Sequence, residues 1–379
     1  MKTGKICIFE DDPNGHRLAY LEILINYIYK RTRRRSLLLI SKEVLDSKQY
    51  QVFLKNIESK FEIIHLQGVK RTNIFLRYLR FKKSLNELQK RGAENLIIPS
   101  ADGLAQMTGL AEIIGFKLSK SMKIRCGLLR LGIAYPDRSF FLRIKHLISY
   151  WLQQKAPMEV FYYDDYAVDF LKHEKNIFLK SLPDPLLSWN AVKGKRGSKV
   201  AARKSKEVCF GCLGGLDTRK GVDLLMDAFK RAKFLTPTRL LLAGEISDQG
   251  ILLKAKSLQT ELGKKRIVLL NEFLTKRKYF EALEKMDVVC LPYFKHIGPS
   301  GVFAQAAFAN KTLIVSDYGW LGWEGRKYNK CSLVNVGKLD DLIKKMEENQ
   351  KKYAKLKSKK GNYVPASSKI FSEILSSLK

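Results

Sequence analysis

Three glycine-marked turns in this 379-residue chain could hold an anion. In "GCLGGLDTRKGVDLL" an apolar run ends at Gly214-Gly215, and Arg219, Lys220 and Gly221 lead into a helical pattern. Glycines let a ligand approach the backbone, a helix start offers unpaired N–H groups with a partial positive charge, and Arg219 and Lys220 add full charges beside it. The stretch reads as a grip for a diphosphate, with a plain tight turn and basic helix start as the alternative. It is not a Walker loop, because the spacing to lysine differs and no Ser or Thr follows, and it lacks the G-x-G-x-x-G of a dinucleotide fingerprint. A second candidate is "EDDPNGHRLAYLEIL", where Gly15 could leave its backbone open to a phosphate or sugar and His16 could act as donor or base; a polar helix cap is the plainer reading. The third is "IGPSGVFAQAAFANK". Gly298, Ser300 and Gly301 open a helix kept slim by Ala304, Ala306, Ala307 and Ala309. Gln305 is its lone amide, placed to contact a ribose or sugar hydroxyl or to serve as a half-buried structural hydrogen bonder.

These turns need elements to hold them. Short apolar runs such as "KICIFE", "SLLLIS", "FEIIHL" and "NLIIPSA" alternate with amphipathic helical stretches through the first half, which indicates a parallel sheet covered on both faces. "KSLPDPLLSWN" interrupts the pattern, and "KGKRGSKVAARKSK" has the composition of a linker. Alternation restarts at "EVCFGCLGGL" and runs to "CSLVNV". The expected fold is α/β, two doubly wound Rossmann-like domains facing across a cleft, with ligands at the carboxyl ends of the strands. The expected divisions are an amino-terminal domain at 1–188, a basic linker at 189–206, a carboxy-terminal domain at 207–352, and terminal helices at 353–379 that could pack back on the first domain.

Lys plus Arg number 70 against 37 Asp plus Glu, a net charge of +33. Such a surplus speaks of anionic partners rather than of fold. The positive residues are spread over both halves instead of forming one groove, so nucleic acid is the remote alternative and is not expected as a partner. Cys209 and Cys212 form a lone C-x-x-C with no second pair, so no metal site is expected and a reducing compartment suits the cysteines. No signal-peptide pattern and no apolar run of about 18 residues appear, so any membrane contact is expected to be peripheral. The stretches 71–91 and 140–155 interleave aromatics with Arg and Lys at helical spacing, as helices lying on an anionic membrane do; core-facing helices with basic outer faces are the alternative.

The order of motifs in residues 207 to 337 resembles the carboxy-terminal domain of GT-B glycosyltransferases of the family 4 (group 1) type. Gly214-Gly215-Leu216 followed by Lys220-Gly221 stands for that family's Gly-Arg-Leu and Lys-Gly, "LLLAGE" for its next strand end, and "VVCLPYF", "GPSGVFAQAAFANKTLIVSDYG" for its later strand, glycine turn, helix and strand. The resemblance implies sugar transfer from a nucleotide-sugar donor to a lipid-linked or polysaccharide acceptor, with retained configuration and no cofactor or metal. It also implies donor contacts at Gly15, Gly215, Arg219, Lys220, Gly244, Glu245, Gly298, Ser300, Gly301, Val302 and Gln305, with His16 and Asp102 as acceptor-side catalytic groups. The chain departs from the pattern. The family's arginine is Gly215, whose charge Arg219 could replace; its two glutamates fall on Ile297 and Gln305; and its mid-domain histidine falls where only Ser100 and Asp102 stand. These losses keep a catalytically inactive partner subunit as the alternative. The expected location is cytoplasmic, peripheral at the inner face of the plasma membrane.

Overall fold

The computed structural model describes residues 5–13, 17–66, 74–118, 122–135, 139–182 and 207–363. They form two compact units. The first contains β1 (Lys5–Glu10), α1 (Arg17–Thr32), β2 (Ser36–Ser41), α2 (Lys42–Leu45), α3 (Lys48–Phe53), β3 (Phe61–Leu66), α4 (Ile74–Lys90), β4 (Ala93–Ile98), α5 (Asp102–Ile113), β5 (Lys123–Leu128), α6 (Phe140–Lys155), β6 (Glu159–Tyr162) and α7 (Asp165–Lys175). Its six strands lie in the order β3-β2-β1-β4-β5-β6, and every pairing is parallel. β2 is buried along its whole length, as expected of a central strand covered on both faces.

The second unit contains β7 (Val208–Leu213), α8 (Val222–Arg231), β8 (Thr238–Ala243), α9 (Gln249–Leu262), β9 (Ile267–Leu270), α10 (Lys276–Lys285), β10 (Val288–Leu291), α11 (Gly301–Phe308), β11 (Thr312–Ser316), α12 (Gly319–Lys327), β12 (Cys331–Val334) and α13 (Leu339–Ser358). Its order, β12-β11-β10-β7-β8-β9, repeats the doubly wound plan. In each sheet the winding reverses beside the first strand, between β1 and β4 and between β7 and β10. There the loops at the carboxyl ends diverge and leave room for a ligand.

The chain differs from the sequence expectations where capping decided the outcome. One helix is expected over 44–57, but Ser41 and Ser47 each accept a backbone N–H, from Val44 and Tyr50, and divide it into α2 and α3. α7 and α12 carry no expectation at all. α7 is nonetheless marked, by Asp164 accepting from the N–H of Ala167 at its start and Asn176 in the left-handed region at its end. The boundary expected at 352 falls inside α13, whose Tyr353 packs against the core of the second unit. The basic linker and the last helix, "SKIFSEILSSLK", lie outside the described residues.

Candidate donor site at the strand ends of the second unit

Glycine makes the turn after β7 possible. Gly214 has φ +86° and Gly221 φ +65°, values that side-chain-bearing residues rarely adopt. A Cβ on Gly221 would stand 2.2 Å from the carbonyl oxygen of Pro292, so only glycine lets α8 start this close to the end of β10. Gly244, just past β8, has φ +139°, and a Cβ there would stand 1.9 Å from the Gly214 carbonyl oxygen. Leu216 donates its N–H to the Glu245 carbonyl at 2.8 Å, which joins the two strand ends. The Glu245 side chain is exposed. Gly215 is exposed and has open space where a Cβ would be.

Lys220 sits under this turn. Asp217 Oδ1 accepts its N–H at 2.9 Å, and its Nζ donates to the Leu213 carbonyl at 3.2 Å. The ammonium also lies 5.7 Å from the centre of the Tyr293 ring. Burial pushes its pKa below the usual lysine range, and the neighbouring Arg219 adds to that. A bound diphosphate would reverse the balance by supplying the missing counter-charge. Arg219 is half exposed; its guanidinium meets His296 Nδ1 at 3.0 Å and Asp217 Oδ2 at 3.4 Å. The Tyr293 ring stands edge-on to His296, centroids 5.3 Å apart, and its buried hydroxyl shares a hydrogen bond with Ser300. Ser300 caps α11 by accepting the Phe303 N–H. Gly298 has φ +89°, Gly301 begins α11, and Val302 Cγ2 lies 4.0 Å from the position of a Cβ on Gly214.

Seven expected positions, Gly215, Arg219, Lys220, Gly244, Ser300, Gly301 and Val302, therefore border the ends of β7, β8 and β10. Gln305 lies one turn into α11 and is 8% exposed. Sequence reasoning missed His296 and Tyr293. The signal was available: a histidine in a glycine-bearing turn after a strand is the same cue that singled out His16. Cys209 and Cys212 are both buried, and being three apart on β7 they face opposite sides of the sheet, so they cannot share a metal.

The first unit gathers charge at its own winding reversal. Glu10 Oε1 accepts from the N–H groups of Asp11 and Asp12 and from Arg17 Nη1 at 3.0 Å. Arg17 Nη1 also donates to the Ser100 carbonyl at 2.8 Å, and burial pushes the Glu10 carboxyl up to about 7. Asp102 Oδ1 accepts the N–H groups of Leu129 and Arg130, both at 3.0 Å, clamping the loop after β5; burial raises its pKa as well. Gly15 and His16 lie outside the described residues.

Within the stretch 71–91, α4 packs one of its faces on the core. Arg77 forms a two-pronged pair with buried Asp11, and Tyr78, Phe81, Leu85 and Leu88 face the core. α6 is the open one. Phe140 and Phe141 are 70% and 81% exposed, and Leu147, Ile148 and Trp151 are exposed with them.

Residues 207–349 match the family described as glycosyl transferases group 1. No curated protein sequence matches the chain. Among solved structures, HepE from Anabaena in complex with UDP and glucose superposes with TM-score 0.67 at 14% identity, covering 99% of this chain and 100% of that one. Sucrose-phosphate synthase from Thermosynechococcus elongatus gives TM-score 0.67 at 15% identity, over 93% of this chain and 90% of its own. WaaG, a glycosyltransferase involved in lipopolysaccharide biosynthesis, gives TM-score 0.64 at 13% identity, over 93% and 91%. With glycine turns, a half-buried lysine and an arginine–histidine pair at its strand ends, the segment 207–349 is similar to the group 1 glycosyl transferases, and the chain as a whole has the GT-B fold.

Proposed function

We propose that the chain moves a sugar from a nucleotide-sugar to a hydroxyl on a lipid-linked or polysaccharide acceptor, with retained configuration and without a metal. The carrying observation is the meeting of Lys220, Arg219 and His296 with the Gly214-Gly215 turn inside the matched domain. Transfer breaks the bond between the anomeric carbon and the diphosphate oxygen and forms one to the acceptor oxygen, whose proton leaves toward the departing phosphate. Charge grows on the diphosphate as the sugar becomes oxocarbenium-like. Lys220, Arg219 and the helix-start N–H groups at Gly301 answer that growing charge. On the acceptor side, His16 and Asp102 are the groups of this reading; Asp102, with Oδ1 committed to two backbone N–H groups, positions rather than reacts. The test is calorimetric titration with UDP followed by turnover assays on a panel of nucleotide-sugars. Saturable UDP binding with transfer or slow hydrolysis of a panel member supports the reading. Binding without turnover of any member moves the chain to the inactive-partner alternative.

Gln305 serves the ribose or sugar in this reading. Gln305→Ala should weaken donor binding by about 1 kcal/mol, the worth of a neutral hydrogen bond. A lowered melting temperature with unchanged UDP affinity would return the residue to a structural role.

Among the described residues no helix is long and apolar enough to cross a membrane. Peripheral attachment at the cytoplasmic face is assigned to α6, which has no acidic residue and carries exposed Arg143 and Lys145 among its exposed aromatics. Burying one aromatic side chain is worth about 1.5–3 kcal/mol. The double change Phe141→Ser and Trp151→Ser should therefore reduce partitioning onto anionic vesicles by at least about tenfold. Added salt should weaken wild-type binding, since charges are screened beyond about 8 Å at physiological ionic strength. Unaltered vesicle binding by the double variant excludes α6 as the contact.

A further inference from the structure

α4 lies beside β3, the edge strand of the first sheet, and the two elements border an open cavity of about 640 Å³. Its size is that of a small-molecule site. The floor is aliphatic: Leu39 from β2, Ile64 and Leu66 from β3, and Leu76, Leu79 and Leu88 from α4. The rim is basic, with Arg80, Lys83 and Arg91 beside Glu87; Glu87 is paired to Lys90 at 3.2 Å and Arg91 to Glu62 at 4.0 Å. Leu76, Leu79, Arg80, Lys83 and Glu87 follow helical spacing, so they form one stripe along α4, and Arg91 follows its last residue. The core is already served by the other stripe, through Tyr78, Phe81 and Leu85.

Two features of the cavity stripe suit an amphiphilic anion. Leu76 and Leu79 are 38% and 37% exposed. Arg80 and Lys83, three residues apart on α4, place two positive charges on the same side of the helix. A ligand with an alkyl chain and an anionic head matches both at once: the chain covers the leucines and the head sits between the cations. We propose that this cavity binds a single lipid phosphate, its chain on the Leu39, Ile64 and Leu66 floor and its phosphate at Arg80, Lys83 and Arg91. A phosphate carried on a hydrocarbon chain is the chemistry of a lipid-linked acceptor, and that role rests on the proposed transferase activity; the binding does not.

The experiment is calorimetry on the full chain with decyl phosphate below its micelle concentration, with decyltrimethylammonium and inorganic phosphate as separate probes and a UDP titration on every sample. Saturable one-to-one binding of decyl phosphate is expected, at least tenfold tighter than the cationic amphiphile, with no measurable binding of inorganic phosphate. Each methylene removed from the chain should weaken it by about fourfold. Lys83→Glu and Leu79→Asp, both at exposed positions, should each weaken it at least tenfold and leave UDP binding unchanged. Equal affinity for both amphiphiles, inorganic phosphate binding as tightly as decyl phosphate, or wild-type affinity in both variants each overturns the proposal. Loss of UDP binding in the unmodified chain counts against the transferase reading alone, since the two titrations are independent.

Discussion

Lys220→Ala should lower transfer efficiency by about 10- to 150-fold. A charge-assisted hydrogen bond to phosphate contributes about 1.5–3 kcal/mol, and each 1.36 kcal/mol is tenfold in rate; growth of charge in the transition state pushes toward the upper end. The fold should survive, because among the described residues the Nζ group meets a single carbonyl, that of Leu213, and the Tyr293 ring. Burial lowers the lysine's pKa, and a diphosphate raises it again. Proton uptake on donor binding is therefore absent at pH values where the free lysine is already charged, and appears as pH rises through its lowered pKa. Calorimetry in buffers of different ionisation heats reads this uptake directly, and Lys220→Ala should abolish it. Arg219→Ala provides the comparison. If Arg219 supplies the charge that Gly215 lacks, its removal should cost about tenfold in UDP affinity, and a change within about 0.5 kcal/mol marks it as a solvent-facing side chain. Wild-type UDP affinity in Lys220→Ala would remove the diphosphate assignment.

Strands were the most legible part of this chain, because a strand buried on both faces writes itself as a short run of Ile, Leu and Val between turns. "SLLLIS" and "FEIIHL" coincide with β2 and β3 to the residue. Helices were less legible where a side chain rather than the apolar period set their ends, as Ser47 does between α2 and α3. Which face of a helix meets solvent was least legible. Residues 74–90 and 140–155 look alike as mixtures of aromatics and cations, yet Arg77 is drawn inward by Asp11 while Phe141 stands in water. Composition cannot separate these cases, since the difference lies in a carboxylate 66 positions away in the chain. The donor site shows the same division. Glycines and Lys220 were visible from local spacing, whereas His296 gains meaning only from its contact with Arg219, 77 positions earlier.

Gly244→Ala should destabilise the second unit strongly and disable the donor turn with it. Two costs add. A residue with a side chain is strained at φ +139°, at about 1–3 kcal/mol. The new Cβ would also stand 1.9 Å from the Gly214 carbonyl oxygen and 2.6 Å from its carbonyl carbon. Those are backbone atoms, so the clash cannot be relieved by a side-chain rotation, and overpacking of this kind costs about 1–3 kcal/mol. Together the melting temperature should fall by roughly 5–20 °C, at about 2–4 °C per kcal/mol for a domain of this size. Any relief must move Gly214, which donates its N–H to the Ala243 carbonyl at 3.0 Å and whose own Cβ position lies 3.1 Å from Lys220 Nζ. Moving it shifts the cradle away from the ammonium, so UDP binding should weaken even in the fraction that stays folded. Gly215→Ala is the matched control. The site is one residue from Gly214, but open space surrounds it, and stability should change by no more than about 0.5 kcal/mol. Gly215→Arg tests the same space with a charged side chain and should fold equally well. Wild-type melting and UDP affinity in Gly244→Ala would mean that the turn is not held against β8 as the structure has it. A large loss in Gly215→Ala would mean that the backbone at Gly215, rather than the Gly214–Gly244 contact, sets the shape of the donor cradle.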